Sequence, residues 1–290
     1  MYKTIKREDI KDLAPLVYNE IKKNYEPNPI LQHSIPYYAT FDEDASGSSE
    51  AVIPASSTIE KTITNDASGV IDIRQLAGIS TGDYLVSIYD NEYQRVLSNR
   101  PLHSSTIIGT SSFPFKLPTP LILHKTQSLR FYLTDLSGAS NSVRITCAGI
   151  KYYFDVDEKI FSKQSKASQI SRPYFYTTDN EVNLSVSTAV QAPYYITTLT
   201  EADFYLYRIT SKQDGPFLVR ITNTSTGMNF SNNTFIHSDT FSGTSQNYKD
   251  MEPMLIERKT ILKLEFINLH TAVNNVYITL TGVNYYYDRS

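Results

Sequence analysis

The sequence predicts an all-β protein: two tandem jelly-roll or Greek-key-like β-sandwich domains preceded by an N-terminal amphipathic helix. Three observations carry that expectation. The chain of 290 residues holds 22 Tyr and 13 Phe but no Trp, alongside many Val, Ile and Thr, the types that suit a pleated surface. Its apolar residues alternate with polar ones, most clearly in "SLRFYLTDL" (128–136) and "ILKLEFINL" (261–269). A period of two puts Leu129, Phe131 and Leu133, or Leu262, Leu264 and Phe266, on one face of a half-buried strand. Third, the chain repeats itself: one constant offset lays 120–155 onto 253–288 without a gap.

That offset matches Pro120 with Pro253, Leu136 with Leu269, Asn141 with Asn274, Gly149 with Gly282 and Tyr152-Tyr153 with Tyr285-Tyr286. It also matches "GDYLVSIYD" (82–90) with "GPFLVRITN" (215–223). One inserted residue later, "LHSSTIIGTS" (102–111) meets "IHSDTFSGTS" (236–245). The copies open alike, "PYYAT" at Pro36 and "PYFYT" at Pro173. Units this long are domains rather than solenoid repeats.

In chain order, residues 1–33 form a helical arm. Ile10, Leu13, Leu16, Val17 and Ile21 recur at helical spacing between charged residues over 6–25, with Pro15 starting or kinking the second part. Their apolar stripe docks on the chain's own sandwich or on a neighbouring subunit. Residues 34–156 form the first sandwich and 172–290 the second. Turn clusters such as "SGASN", "TNDASG", "SKQDG" and "NTSTGMN" divide each into about seven or eight strands. The polar stretch "DEKIFSKQSKASQIS" (157–171) is the linker. Around Gly149 and Gly282 the apolar residues change parity. Val143, Ile145 and Cys147 precede the glycine and Ile150, Tyr152 and Phe154 follow it, so a bulge and a change of inward face are expected there.

The chemistry is sparse. With a formal charge of −3 and no basic run interleaved with aromatics, nucleic acid is not the expected ligand. No apolar run approaches a membrane span, and the start lacks an apolar export core, so synthesis in a reducing cytoplasm is expected. The single Cys147 aligns with Leu280 and reads as a small core hydrophobe. His103 and His237 are equivalent and each precedes Ser, but neighbours on a strand face opposite ways, so a turn or sheet-edge role is expected. The acidic runs at 42–50 and 155–158 lack the ligand spacing of a calcium loop, and no zinc, phosphate-loop or nucleophile-elbow motif occurs. No catalytic residue, cofactor or metal is expected. Paired tyrosines place one ring outward, which makes Tyr153 and Tyr286 interaction candidates beside the five residues of the arm.

The run "FPFKLPTPLILHKTQSLRFYLTDLSGASNSVRITCAGIKYY" (113–153), taken whole, resembles a pattern in structural proteins of tailed bacteriophages. It joins an aromatic-Pro strand, a "PLIL" strand, an alternating strand closed by "DLS", a small-residue turn with Asn, and a last strand ending in Gly and paired Tyr. Those modules are β-sandwiches of collars, necks, vertex complexes and head decorations. The second copy follows the pattern more loosely from Tyr248 to Tyr287 and loses the aromatic-Pro strand at "NYKDMEPM". The resemblance implies a non-enzymatic virion protein, a homo-oligomer whose partners are capsid, portal or neck proteins. The alternative class is a glycan- or receptor-binding adsorption module.

Overall fold

The structure, a computed structural model, describes residues 34–153, 171–178 and 181–286, together with two short strands ahead of them. Strands β1 (Leu16–Asn19) and β2 (Asn24–Pro27) pair antiparallel, Leu16 opposite Pro27 and Asn19 opposite Asn24. This corrects the helix expected over 6–25: Leu16 and Val17 lie in a strand, while Ile10, Leu13 and Ile21 fall outside the described residues. Helical spacing was outweighed locally. Pro15 removes a helical donor and disfavours helix just before it, and Val17-Tyr18 are strand formers.

The first half comprises β3 (Ser34–Thr40), β4 (Ala51–Ile53), β5 (Thr58–Thr64), β6 (Gly69–Ser80), β7 (Tyr84–Asp90), β8 (Arg95–Val96) and β9 (Leu102–His103). The helical turn α1 (Ser104–Ile107) follows, then β10 (Phe115–Leu123), β11 (Ser128–Asp135) and β12 (Asn141–Tyr153). One antiparallel sheet runs β10-β6-β12-β3, with β4 also on β12; the other runs β5-β11-β7-β8, with β9 also on β7. Strict alternation in β11 turns Leu129, Phe131 and Leu133 inward, as expected. They meet Ile71, Ile73 and Leu76 of β6, Val86 and Ile88 of β7, and Val143, Ile145 and Cys147 of β12 in one buried cluster. Each such side chain contributes about 1.5–3 kcal/mol by leaving water. Cys147 is the core hydrophobe anticipated, and burial pushes its thiol up to about 12.

The second half repeats this order with β13 (Ser171–Thr177), β14 (Val182–Leu184), β15 (Tyr194–Thr197), β16 (Ala202–Gln213), β17 (Phe217–Asn223), β18 (Ile236–His237) and the turn α2 (Ser238–Phe241). It closes with β19 (Met254–Ile256), β20 (Ile261–Asn268) and β21 (Asn274–Tyr286). Its sheets run β13-β21-β16-β19, with β14 on β21, and β15-β20-β17-β18. Where the first half has the nine residues of β10, the second has the three of β19, the strand weakened at "NYKDMEPM". Leu206, Ile209, Val219, Leu264, Phe266, Ile278 and Leu280 form its separate core.

The matched Asn and Gly positions now have a cause. Fully buried Asn141 accepts from the Gly82 N–H and donates to the Gly82 carbonyl, both at 2.9 Å. Asn274 does the same to Gly215 at 3.0 and 2.8 Å, so each Asn fastens the β6–β7 or β16–β17 turn to the last strand.

The expected bulge is present in both halves. The register slips between Ala148 and Gly149 and skips Arg74; in the second half it skips Tyr207. The extra residue thus sits in β6 or β16, not in the glycine-bearing strand. The inward face changes there, from Ile71 and Ile73 to Leu76, and from Phe204 and Leu206 to Ile209. Strands β12 and β21 keep their face: Lys151 lies opposite Ile71, and Asn284 opposite Phe204. The expected face switch at Ile150 and Tyr152 is therefore corrected. Glycine is needed because the partner backbone closes onto it; a Cβ at Gly149 or Gly282 would stand 1.9 or 2.1 Å from the carbonyl oxygen of Asp72 or Tyr205.

Candidate functional site

Among the described residues no cluster of three His, Cys, Asp or Glu side chains could hold a metal ion. The carboxylate of Asp44 closes its own turn, accepting from the Ser46 and Ser48 N–H groups and the Ser46 hydroxyl, which lowers its pKa to about 2. The acidic run at 155–158 lies outside the described residues. The two equivalent histidines cap helical turns: Nδ1 of His103 accepts from the Ser105 N–H, and Nδ1 of His237 from the Asp239 N–H, each at 3.2 Å. This is the turn role expected of them.

Among the described residues, polar and aromatic contacts concentrate at the junction between the halves, in four parts. At the first, the edge strand β13 takes the segment Leu97-Ser98-Asn99 as a short parallel neighbour. Phe175 N–H donates to the Leu97 carbonyl at 2.9 Å, and the Asn99 N–H donates to the Phe175 carbonyl at 3.2 Å. The Asn99 amide then grips Thr177, accepting from its N–H at 2.8 Å and donating to its carbonyl at 2.9 Å. Phe175 itself, 1 % exposed, is buried in the first half's core.

At the second part, α1 lies on β16 and β21. The Thr106 carbonyl accepts from the Thr210 hydroxyl, and the Thr106 and Thr279 hydroxyls meet at 2.9 Å. The His103 ring packs on Tyr277 with centroids 4.6 Å apart. At the third, Arg208 donates to the Lys116 carbonyl at 2.6 Å and to Asp250 at 2.7 Å, its guanidinium 4.0 Å from the Tyr248 ring. At the fourth, β13 meets the end of β7: Arg172 is ion-paired with Asp90, both buried, and stacks 3.4 Å from the Tyr93 ring. Water is excluded from Phe175, Thr106, Thr210, Thr279, Arg172 and Asp90, so these contacts fix the halves against each other.

Of the aromatic candidates, Tyr286 carries Arg95 of the first half 3.9 Å above its ring, a contact inside the chain. Its counterpart Tyr153 is half-buried, 5.4 Å from the Lys151 amine. The sequence-level reading missed Phe175, Asn99 and Arg172. A usable signal was present in the paired openings, since aromatic residues on the outer face of an edge strand need cover.

His103 supplies a pH test of the junction. Burial lowers its pKa from 6.5 to about 4, against the pull of Asp83, with Lys212 lowering it and Asp214 raising it. The neutral ring is the form that caps α1. Because the folded value lies below the unfolded one, the unfolded chain takes up the proton first; this contribution is complete above 6.5 and disappears as pH falls toward 4. Stability should drop by roughly 3 kcal/mol across that window. Glu92, raised by desolvation, works in the opposite direction, so the comparison needs a variant. His103→Asn keeps a capping acceptor without titrating and should flatten the urea midpoint between the two pH values; an unchanged drop would remove His103 as its source.

No family model and no curated protein matches the chain. Among solved structures it is similar to the PBSX exported protein XepA, at 11 % identity over 93 % of this chain and 94 % of that one, with a TM-score of 0.23. It is also similar to the N-terminal CBM22-1-CBM22-2 tandem domain of Xyn10C from Paenibacillus barcinonensis: 8 % identity, 88 % and 93 % coverage, TM-score 0.18. A Paenibacillus xanthan lyase matches at 10 % identity over 88 % of this chain and 25 % of its own, TM-score 0.19. At these scores the overall shapes diverge.

Proposed function

We propose that this chain is a non-enzymatic structural component of a phage virion, present in multiple copies at the collar or neck or at a capsid vertex. In this reading 34–156 and 172–290 are tandem jelly-roll or Greek-key-like sandwiches joined by 157–171, and the partners are capsid, portal or neck proteins. The observation that carries it is the division of labour between equivalent surfaces. Much of the second half's outer sheet face, including Phe175, Thr279 and Thr281, is buried against the first half, whereas the first half's equivalent face leaves Tyr38, Val52 and Ile79 exposed. A rigid double module with an uncovered apolar sheet face is suited to assembly.

The resemblance of 113–153 to virion modules supports the placement. Purified particles should contain the chain by mass spectrometry, at one symmetric position in averaged images; particles lacking it would sink the proposal. Exposed rings such as Tyr38 and Tyr195 also suit a sugar platform. A glycan array on which Tyr38→Ala and Tyr195→Ala abolish binding, with no incorporation into particles, would favour the adsorption module instead.

A further inference from the structure

The contact between the halves is heterologous: the first half contributes α1 and Leu97-Ser98-Asn99, the second contributes the edge and outer face of the β13-β21-β16 sheet. Each half therefore owns the counterpart of a surface that only the other one uses. The equivalences are structural. Phe230 N–H donates to the Ile221 carbonyl as Leu97 N–H does to Ile88, which lays Phe230-Ser231-Asn232 on Leu97-Ser98-Asn99. Thr40 lies opposite Thr146 as Thr177 lies opposite Thr279, which lays Tyr38 on Phe175.

We propose that copies of the chain join head to tail by repeating this contact between molecules. The second half of one copy, through Phe230–Asn232 and α2, docks on the β3 edge and outer sheet face of the next. The inference deepens the assembly reading above and rests on it for the presence of many copies.

Identity is kept at the Asn–Thr and Thr–Thr contacts, while Thr210 and Arg208 become Ala77 and Gln75. Asn232 is exposed where Asn99 grips Thr177, and Thr40 is exposed where Thr177 is gripped. Thr240 is exposed where Thr106 is buried, and Thr146 holds the place of Thr279. Tyr38 is 70 % exposed where its counterpart Phe175 is 1 % exposed. The β3 edge thus repeats the hydrogen-bonding edge that β13 has already filled.

Where the residues differ, they differ as a contact between separate chains requires. Arg172 and Asp90 become Ile35 and Asn223, so no charged pair must be buried. Arg95, stacked on Tyr286, becomes Met228, 69 % exposed, and its expected partner is Tyr153. Ile35 and Tyr153 on one surface thus meet Met228 on the other. Ser105 becomes the exposed Asp239, and Tyr277 becomes the exposed Arg144, which is ion-paired with Glu50 at 3.1 Å. Such an interface generates a ring when its rotation closes and a filament when it does not.

The test uses the full chain, sedimentation velocity and two single variants. Tyr38→Glu spoils the receiving edge and Thr240→Arg the docking turn; both sites are exposed, and circular dichroism melts check the fold. The wild type should assemble, and each variant should stay monomeric to concentrations at least tenfold higher. Their equimolar mixture should form a heterodimer, through its one intact interface, and stop there. Assembly of a variant like the wild type, or a mixture that stays monomeric while the wild type assembles, overturns the proposal. For weak association, Thr40→Cys with Asn232→Cys under mild oxidation should give a covalent ladder, Cys147 being buried. A monomeric wild type with no ladder, as when the edge is covered from within the same chain, overturns it as well. Particles lacking the chain while head-to-tail assembly persists would sink the virion assignment alone.

Discussion

Arg172→Ala is expected to cost about 3–5 kcal/mol in urea unfolding, more than any surface change in the molecule. The guanidinium is ion-paired with Asp90, both side chains are 2 % exposed, and it lies flat against Tyr93. Asp90 also accepts the Glu92 N–H at 3.0 Å, so its carboxylate is fixed in place. Truncating the arginine leaves that charge desolvated and unmatched, and the loss is set by this penalty rather than by the strength of the pair. The repeat supplies its own rescue. The equivalent positions carry Ile35 and Asn223, so Arg172→Ile with Asp90→Asn should recover most of the lost stability, because a neutral, apolar replacement need not bury a charge. A single variant that loses less than about 1 kcal/mol, the level of an exposed pair, would show that the charges are solvated.

Arg172 also marks how far the sequence could be read. Alternation in "SLRFYLTDL" identified the inward face of β11 because one of its faces is core and the other is not. Near the end of β12 and β21 that condition fails. Val283 is 1 % exposed on the outer face, and Lys151, fully buried, stands on the inner one with its amine 2.7 Å from Asp66. Apolar parity there no longer reports the inward side. The repeated glycine located the bulge correctly, while the strand holding the extra residue was visible only in the pairing of neighbours far apart in sequence. The junction was hidden for the same reason: "PYYAT" and "PYFYT" read alike, yet Phe175 is buried by the other half and Tyr38 is not. The spacing of Leu16 and Val17 fits a helix as well as a strand, and Pro15 carried the deciding information.

Phe175→Ala is expected to cost a further class of stability, the coupling between halves. The ring belongs by sequence to the second half's edge strand, but it packs in the first half's core, 6.2 Å from the Phe115 ring. Its backbone at the same time closes the two hydrogen bonds to Leu97 and Asn99. Removing a buried phenylalanine typically costs about 3–5 kcal/mol, through lost transfer and the cavity left behind. Here the cavity opens at the boundary of two cores. The wild type should therefore unfold in urea in one transition, and Phe175→Ala in two, with a lower apparent slope because each step exposes less surface. Phe204→Ala is the control: it removes an equally buried ring wholly inside the second core and should destabilise without touching the junction. If both variants keep a single transition and lose equal stability, the halves are not coupled through this ring, and the rigidity ascribed to the junction must come from its polar contacts, those of Asn99, Thr106, Arg172 and Arg208.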